Sequence, residues 1–412
     1  MKKKYFALDL GTTKFCLACL ELDYGNQTAT VDWLAVPAGG MKSGMLERMD
    51  RASAQLATLI GQAEEQFKVD LPAIVVGVAG RHLASTFVEH LLSLHGQRVG
   101  LKHCQKLQRL ASLAPVSEGR EQVLALPVAY QVDARPWSSN PLQLTGQHLR
   151  SSMFSVTADK HYLRDLVRLC NSCGVKVSAF QPEPVASASA ILGTGPYRQG
   201  AVIIDIGGGS VDGVAYRHSV PVYLFTLRGG GEALTDKIGF HWNLSLQEAE
   251  RVKRQVGFLA TGMGDKIECL DLHGRLQKVS VKAVVDLLIR EFTLLSRELK
   301  DIFVQLGYPQ STGLLITGGG SELLGCEQVL AKMLSRPVAK LSPDWKSGLP
   351  SAFDAHSLRQ MGGPTPGKQH ATVIGMLLLA AQKELDLHDL GGASVTKLGL
   401  RKVWGWLREL KS

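Results

Sequence analysis

Two distant segments of this chain repeat one short pattern. Phe6-Ala7-Leu8-Asp9-Leu10-Gly11-Thr12-Thr13-Lys14 and Ile203-Ile204-Asp205-Ile206-Gly207-Gly208-Gly209-Ser210 are each an apolar run ending in Asp-x-Gly and a tight turn. A second β-prone run follows each, over residues 15–22 and 211–216. This pattern predicts a β-hairpin with a glycine-bearing tip. Each half then carries another apolar run ending in glycine, over residues 74–80 and 314–320. The same order of elements twice predicts two duplicated α/β domains facing one another. The length of 412 residues suits this, being too long for one ordinary compact domain. With 45% apolar and 20% charged residues, general disorder and collagen-like repeats are excluded.

The tips carry the chemistry. Small residues let backbone N–H groups approach an anion closely. Thr12, Thr13 and Ser210 add hydroxyls, Lys14 adds a point charge, and Gly11, Gly207, Gly208 and Gly209 leave room. Two such tips facing one another would clamp a polyphosphate. Asp9 and Asp205, at the strand ends, would hold a hydrated Mg²⁺, which prefers carboxylate and phosphate oxygens and keeps several waters. Gly318-Gly319-Gly320 is a third close-approach turn behind an apolar strand. Gly229-Gly230-Gly231 lies between a strand and a helix start, where free amides favour anions.

Between these motifs, helical spacing covers residues 47–67, 158–173 and 281–306, and Ser245-Leu246-Gln247-Glu248 is a capping box opening a helix to about Val256. Residues 85–154 break the α/β rhythm and read as an inserted subdomain. Residues 337–368 read mostly as loop. The apolar run over 371–381 is too short to span a bilayer and reads as a buried helix. Lys2, Lys3 and Lys4 mimic the start of a signal peptide, but Asp9 and Lys14 interrupt the apolar stretch behind them. The seven scattered cysteines argue for a reducing compartment. The net charge of +9 suits an acidic partner, but no basic patch interleaved with aromatics points to nucleic acid.

The terminus differs in character. Leu400, Val403, Trp404, Leu407 and Leu410 share one helical face, with Arg401, Lys402 and Arg408 off it. A basic amphipathic helix with Trp at a chain end reads as membrane-surface binding.

The two hairpins resemble the first and second phosphate motifs of the actin, hexokinase and heat-shock-chaperone superfamily. Gln181-Pro182-Glu183-Pro184-Val185-Ala186-Ser187 resembles its first connecting segment, and residues 315–320 resemble its adenosine motif. Glu250, Lys253 and Arg254 resemble the chaperone helix whose Glu, Lys and Arg contact ribose and adenine. Within that superfamily the insertion is similar to that of the FtsA family of bacterial cell-division proteins, in Pro127-Val128-Ala129-Tyr130-Gln131-Val132-Asp133, Asn140-Pro141-Leu142 and Gly146-Gln147-His148-Leu149, as are Gly77-Val78-Ala79-Gly80-Arg81-His82 just before it and the C-terminus. Residues 39–47 fit the family's Gly-Lys-Gly segment only loosely.

The resemblance implies an α/β, actin-like ATPase fold of two RNase H-like domains with an inserted α+β subdomain. The expected units are a first domain over 1–84 and 158–200, the insertion over 85–157, a second domain over 201–370, a closing helix over 371–385, a linker over 386–396 and a membrane helix over 397–412. It implies ATP and Mg²⁺ as cofactors, with Glu183 or Asp212 orienting an attacking water in a slow ATPase, if any. The implied partners are the tubulin-like division protein FtsZ, other copies in filaments and the anionic cytoplasmic face of the inner membrane at the division site. A sugar or carboxylate kinase and a pilus-assembly scaffold of the same superfamily are the alternatives.

Overall fold

The computed structural model describes residues 2–71, 73–192, 200–260, 262, 264–346, 349, 359–360 and 366–388. The expected amphipathic terminal helix and most of the expected linker before it lie outside them.

The chain opens with β1 (Lys2–Leu10), β2 (Lys14–Asp23) and β3 (Thr28–Pro37), then a small hairpin of β4 (Met41–Lys42) and β5 (Met45–Leu46), α1 (Met49–Phe67) and β6 (Ala73–Val78). The insertion follows as β7 (Ala84–Ser93), α2 (Leu101–Ser112), β8 (Arg120–Val132) and β9 (His148–Asp159). The first domain resumes with α3 (Lys160–Ser172), β10 (Lys176–Pro182) and α4 (Glu183–Leu192). The second domain runs β11 (Gly200–Ile206), β12 (Ser210–Arg217), β13 (Val220–Arg228), α5 (Gly231–Trp242), α6 (Leu246–Val256), β14 (Lys266–Leu270), β15 (Leu276–Ser280), α7 (Val281–Gln305), β16 (Gly313–Thr317), α8 (Cys326–Leu334) and β17 (Val338–Lys340). β18 (Arg359–Gln360), which pairs with β3 of the first domain, and α9 (Ala371–His388) follow.

The duplication is explicit in the sheets. One has the order β3-β2-β1-β6-β10, with β18 beyond β3, and the other the order β13-β12-β11-β16-β17. In both, an antiparallel three-strand meander is extended by two parallel strands. β17 supplies the fifth strand from the stretch expected to be loop; its three residues are too few to show a pattern.

Strand alternation sorts the core into layers. Phe6, Leu8 and Leu10 pack with α1 and α3, while Tyr5 and Ala7 face α4 and α9. Ala201 and Ile203 meet those same two helices from the other sheet, and Val202, Ile204 and Ile206 pack under α5–α8. Burial on both faces explains why β1 and β11 read as almost unbroken apolar runs. α4 and α9 are thus sandwiched between the sheets. Their crossing is close: a Cβ on Gly375 would lie 1.8 Å from the Ala186 carbonyl oxygen.

α9 runs to His388, so the helix continues three residues past the expected start of the linker. The insertion folds as one sheet, β7-β9-β8, backed by α2. Asp159 caps α3, accepting from the Tyr162 amide at 2.9 Å, which places the helix start after β9 rather than at 158. Among the described residues no helix is long and apolar enough to cross a membrane.

Candidate functional site

The two tips are built alike. A Cβ on Gly11 would lie 2.9 Å from the Lys14 carbonyl, and one on Gly207 would lie 3.1 Å from the Ser210 carbonyl. Asp9 pairs across its hairpin with Cys16, whereas Asp205 pairs with Asp212, so the second hairpin sets two acids directly opposite each other behind its tip. The tips face and touch one another. A Cβ on Gly208 would lie 2.4 Å from Thr13 Cγ2, and one on Gly209 would lie 2.3 Å from Thr12 Oγ1. Any larger residue at those two glycines would hold the tips apart.

Behind the tips stand four carboxylates. Asp205 Oδ2 accepts from Ser187 Oγ at 2.8 Å and Thr372 Oγ1 at 3.0 Å, one donor from each sandwiched helix. Asp212 accepts from the Gly80 amide (3.0 Å), Ser210 Oγ (2.5 Å) and Thr226 Oγ1 (2.6 Å). Glu183 opens α4, and its carboxylate lies where a Cβ on Gly77 would sit, 2.5 Å from Oε1. Burial, opposed by Lys14 and reinforced by Asp205, pushes Asp9 up to about 6. Burial also raises Asp205 and Asp212. Glu183 is raised well above the usual carboxylate range by burial and then by Asp9, Asp212 and Asp205. Such a cluster carries more negative charge than the nearby Lys14 offsets.

Hard oxygen donors with excess negative charge fit Mg²⁺. Among the described residues no group of three or more His, Cys, Asp or Glu is arranged to hold a metal alone. Mg²⁺ needs none, since it takes one or two carboxylates and draws its other ligands from water and phosphate.

The remaining predicted residues divide. Lys14 Nζ donates to the Gln369 carbonyl at 2.5 Å, tying the first tip to the segment before α9. Burial, with Lys14 adding to it, pushes the neighbouring His370 down to about 3, and its ring lies 3.8 Å from that of Trp33. Gly318 (φ 86°) and Gly320 close on the end of β11. Added Cβ atoms would lie 2.1 Å from Asp205 Oδ1 and 2.4 Å from Ile206 Cγ2. Gly319 has only ordinary contact, with Gln369.

The amides at the start of α5 are not free, as the sequence reading had them. Gly231 and Glu232 donate to the Gly207 and Gly208 carbonyls at 2.9 and 2.8 Å, so they hold the second tip in place. Gly230 (φ 119°) is pressed against the Gly208 carbonyl. α6 reinforces this arrangement. Lys253, buried at 4% exposure, donates to the Gly231 carbonyl and to Thr235 Oγ1, both at 2.7 Å, and pairs with Glu250. Burial would raise Glu250, but hydrogen bonds from Lys253, Thr235 and Arg254 outweigh it and hold it at about 2. Arg254 stays exposed on the far side of that carboxylate.

Sequence reasoning missed the donors that hold the acids: Ser187, Thr226, Thr372 and the Gly80 amide. It also missed Gly44, whose amide donates to Thr12 Oγ1 at 2.9 Å. Gly213 has a packing reason as well, because a Cβ there would lie 2.3 Å from the Phe225 ring.

Comparison with known proteins accords with this geometry. The family described as Cell division protein FtsA matches residues 202–375, and the SHS2 domain inserted in FTSA matches residues 80–157, together more than half of the chain. The chain is 23% identical over 391 residues to Cell division protein FtsA of Neisseria meningitidis serogroup B, covering 92% of this chain and 91% of that protein. It is 24% identical over 353 residues to Cell division protein FtsA of Bacillus subtilis, covering 83% and 79%. Among solved structures it is similar to the PilM-PilN type IV pilus biogenesis complex (TM-score 0.60, 18% identity, 92% and 98% covered). It is also similar to MreB5 of Spiroplasma citri bound to ADP (TM-score 0.52, 12% identity, 95% and 99% covered). The paired sheets are therefore an actin-like ATPase fold, and the chain belongs to the FtsA family of cell division proteins.

Proposed function

We propose that this chain binds ATP with Mg²⁺ between its two hairpin tips, assembles into actin-like filaments, and tethers FtsZ to the cytoplasmic face of the inner membrane through its terminal helix. The observation that carries the nucleotide part is the pair of touching tips backed by four charge-starved carboxylates. MreB5 of Spiroplasma citri, of the same fold, has been solved bound to ADP and to AMPPNP.

In this reading Asp9 and Asp205 hold the hydrated metal, which neutralises charge on the phosphates when bound. Lys14 adds positive charge from the first tip. Glu250 and the exposed Arg254 would meet the nucleoside end, with buried Lys253 holding Glu250 and the start of α5 beside it. Asp212 already accepts three hydrogen bonds, so Glu183 is the better placed of the two to orient a water. Positioning and electrostatics are most of phosphoryl-transfer catalysis, and such a site needs little turnover to report nucleotide state.

The membrane part rests on the terminal helix. Its five basic residues against Glu409 leave +4. At about 1 kcal/mol per basic residue near anionic lipid this supplies ~4 kcal/mol. One copy therefore binds weakly, and a filament of many copies binds tightly through effective concentration. Full-length protein with Mg-ATP will pellet with anionic liposomes and be released by high salt, while a chain ending at Gly392 will stay in solution. If neither pellets, the terminal helix is not an anchor and the tether reading fails.

The second domain also presents uncovered apolar side chains. Phe240 is 92% exposed, Leu246 63% and Leu272 59%, around one shallow groove. A contiguous exposed apolar patch marks an interaction surface, and we assign it to FtsZ. Phe240→Ala will weaken FtsZ binding by about tenfold or more, as loss of a central aromatic anchor does, with nucleotide affinity unchanged. Loss of self-assembly with FtsZ binding intact would instead make this a contact between copies.

A further inference from the structure

Both crossings of the chain into the inserted subdomain are linked to the two phosphate-motif hairpins by hydrogen bonds, the first directly and the second through Gly44. The first crossing holds Gly80, whose amide donates to Asp212, and His82, whose carbonyl accepts from Arg120 of β8 at 2.7 Å. Arg120 also donates to the Thr157 hydroxyl and carbonyl in β9, so one guanidinium joins the two roots of the insertion. The second crossing holds Tyr162, buried in the first turn of α3. Its ring stacks on His82, with centroids 3.9 Å apart and planes 11° from parallel. Among the described residues the buried His82 Nε2 has no hydrogen-bond partner.

Tyr162 reaches the tips through the small β4–β5 hairpin. Its hydroxyl donates to the Gly44 carbonyl at 3.1 Å, and the Gly44 amide donates to Thr12 Oγ1. Ser43 and Gly44 also lie against the second tip. A Cβ on Gly209 would come within 2.7 Å of Ser43 Cα and 3.0 Å of the Gly44 nitrogen. Thr12 uses its oxygen as acceptor here, and its own proton remains available to an anion. An anion accepting that proton would fix the hydroxyl and strengthen the chain of bonds behind it, since linked hydrogen bonds polarise one another. The insertion also meets the body through apolar contact of Phe154 and Val156 with Val185 and Leu224, through Val123 against the first-domain core, and through hydrogen bonds from the Leu224 amide to Ser85 Oγ and from the Lys160 amide to the Gly119 carbonyl.

We propose that Tyr162 is a positioning residue that couples phosphate at the tips to the inserted subdomain, through Gly44 on one side and His82 on the other. The proposal rests on the reading that the tips take the phosphates of a nucleotide. Phosphate binding locks Thr12, Gly44, Tyr162 and His82 in turn and steadies the roots of β7 and β9. A surface on the insertion would then be presented in one orientation in the nucleotide-bound state and in a looser one without it.

The test is hydrogen exchange of the full chain with and without Mg-AMPPNP, alongside calorimetric titration of the same nucleotide. The wild type will bind, and exchange over residues 84–93 and 148–159 will slow by roughly tenfold, within the usual range of coupling between sites. Tyr162→Phe keeps the ring and the stack. It will bind AMPPNP within about threefold of wild type, exchange normally without nucleotide, and lose most of the nucleotide-dependent slowing. Binding with unchanged exchange in those two strands, or full slowing in Tyr162→Phe, would overturn the coupling. Absence of calorimetric binding by the wild type would overturn the nucleotide reading and the coupling with it.

Discussion

Asp205→Asn will make the nucleotide-free protein more stable while weakening Mg-ATP binding about 100-fold, or ~2.7 kcal/mol. The two effects share one cause. Burial raises the Asp205 carboxyl above its ordinary value, and Asp212 adds to that, against the hydrogen bonds from Ser187 and Thr372. A group that holds its proton more tightly when folded costs stability as pH rises through its folded pKa, and costs nothing below its unfolded value near 3.8. At neutral pH the buried charge is thus a burden. Asn keeps an acceptor for Ser187 and Thr372 and removes the charge, which is worth ~1 kcal/mol of stability. The same charge is what a hydrated metal and its phosphates would require. Thermal melting without nucleotide and calorimetric titration with Mg-ATP read the two arms. A less stable variant would show that the carboxylate is structural, and unchanged affinity would remove Asp205 from the cation site.

Gly375→Ala will destabilise the protein by roughly 3 kcal/mol, at the upper end for one added methyl group. The atom met is a backbone carbonyl oxygen, 1.8 Å from the new Cβ, and it belongs to α4, which is packed between two sheets. Neither helix can retreat without opening a core cluster. The crossing also carries Ser187 and Thr372, which hold Asp205 from either side and lie 2.9 Å apart, so the substitution will disturb the site as well as the fold. Gly61→Ala is the control. Gly61 lies in α1 with nothing within 4 Å of an added Cβ. Alanine there will stabilise by about 0.5–1 kcal/mol through helix propensity. Chemical denaturation of both variants checks the contrast, and a Gly375→Ala protein as stable as wild type would mean that the helices do not cross this closely.

What the sequence made legible was local. Each hairpin lies within one short window, so its strand, tip and return strand could be read together, and repetition made the pair persuasive. The apolar periodicity of α7 and the Ser245 cap of α6 were equally plain, because neighbouring residues carry those signals. What stayed hidden depends on residues far apart in the chain. Asp205 and Thr372 meet across 167 positions, Gly44 and Tyr162 across 118, and no pattern in either segment names the other. Lys253 entered only by resemblance, as a ribose or adenine contact. Its burial against the Gly231 carbonyl follows from the packing of α5 on α6. The need for glycine at 213 likewise comes from the Phe225 ring on the neighbouring strand, which fills the space a Cβ would take.

We propose that this actin-like body carries FtsZ to the membrane under nucleotide control. The most direct measurement is the recruitment of fluorescent FtsZ to an anionic supported bilayer by purified full-length protein. The account predicts FtsZ on the bilayer with the full chain and Mg-ATP, and strong reduction with Asp205→Asn or with the chain ending at Gly392. Equal recruitment by the shortened chain, or no recruitment by a full-length protein that itself coats the bilayer, would contradict it.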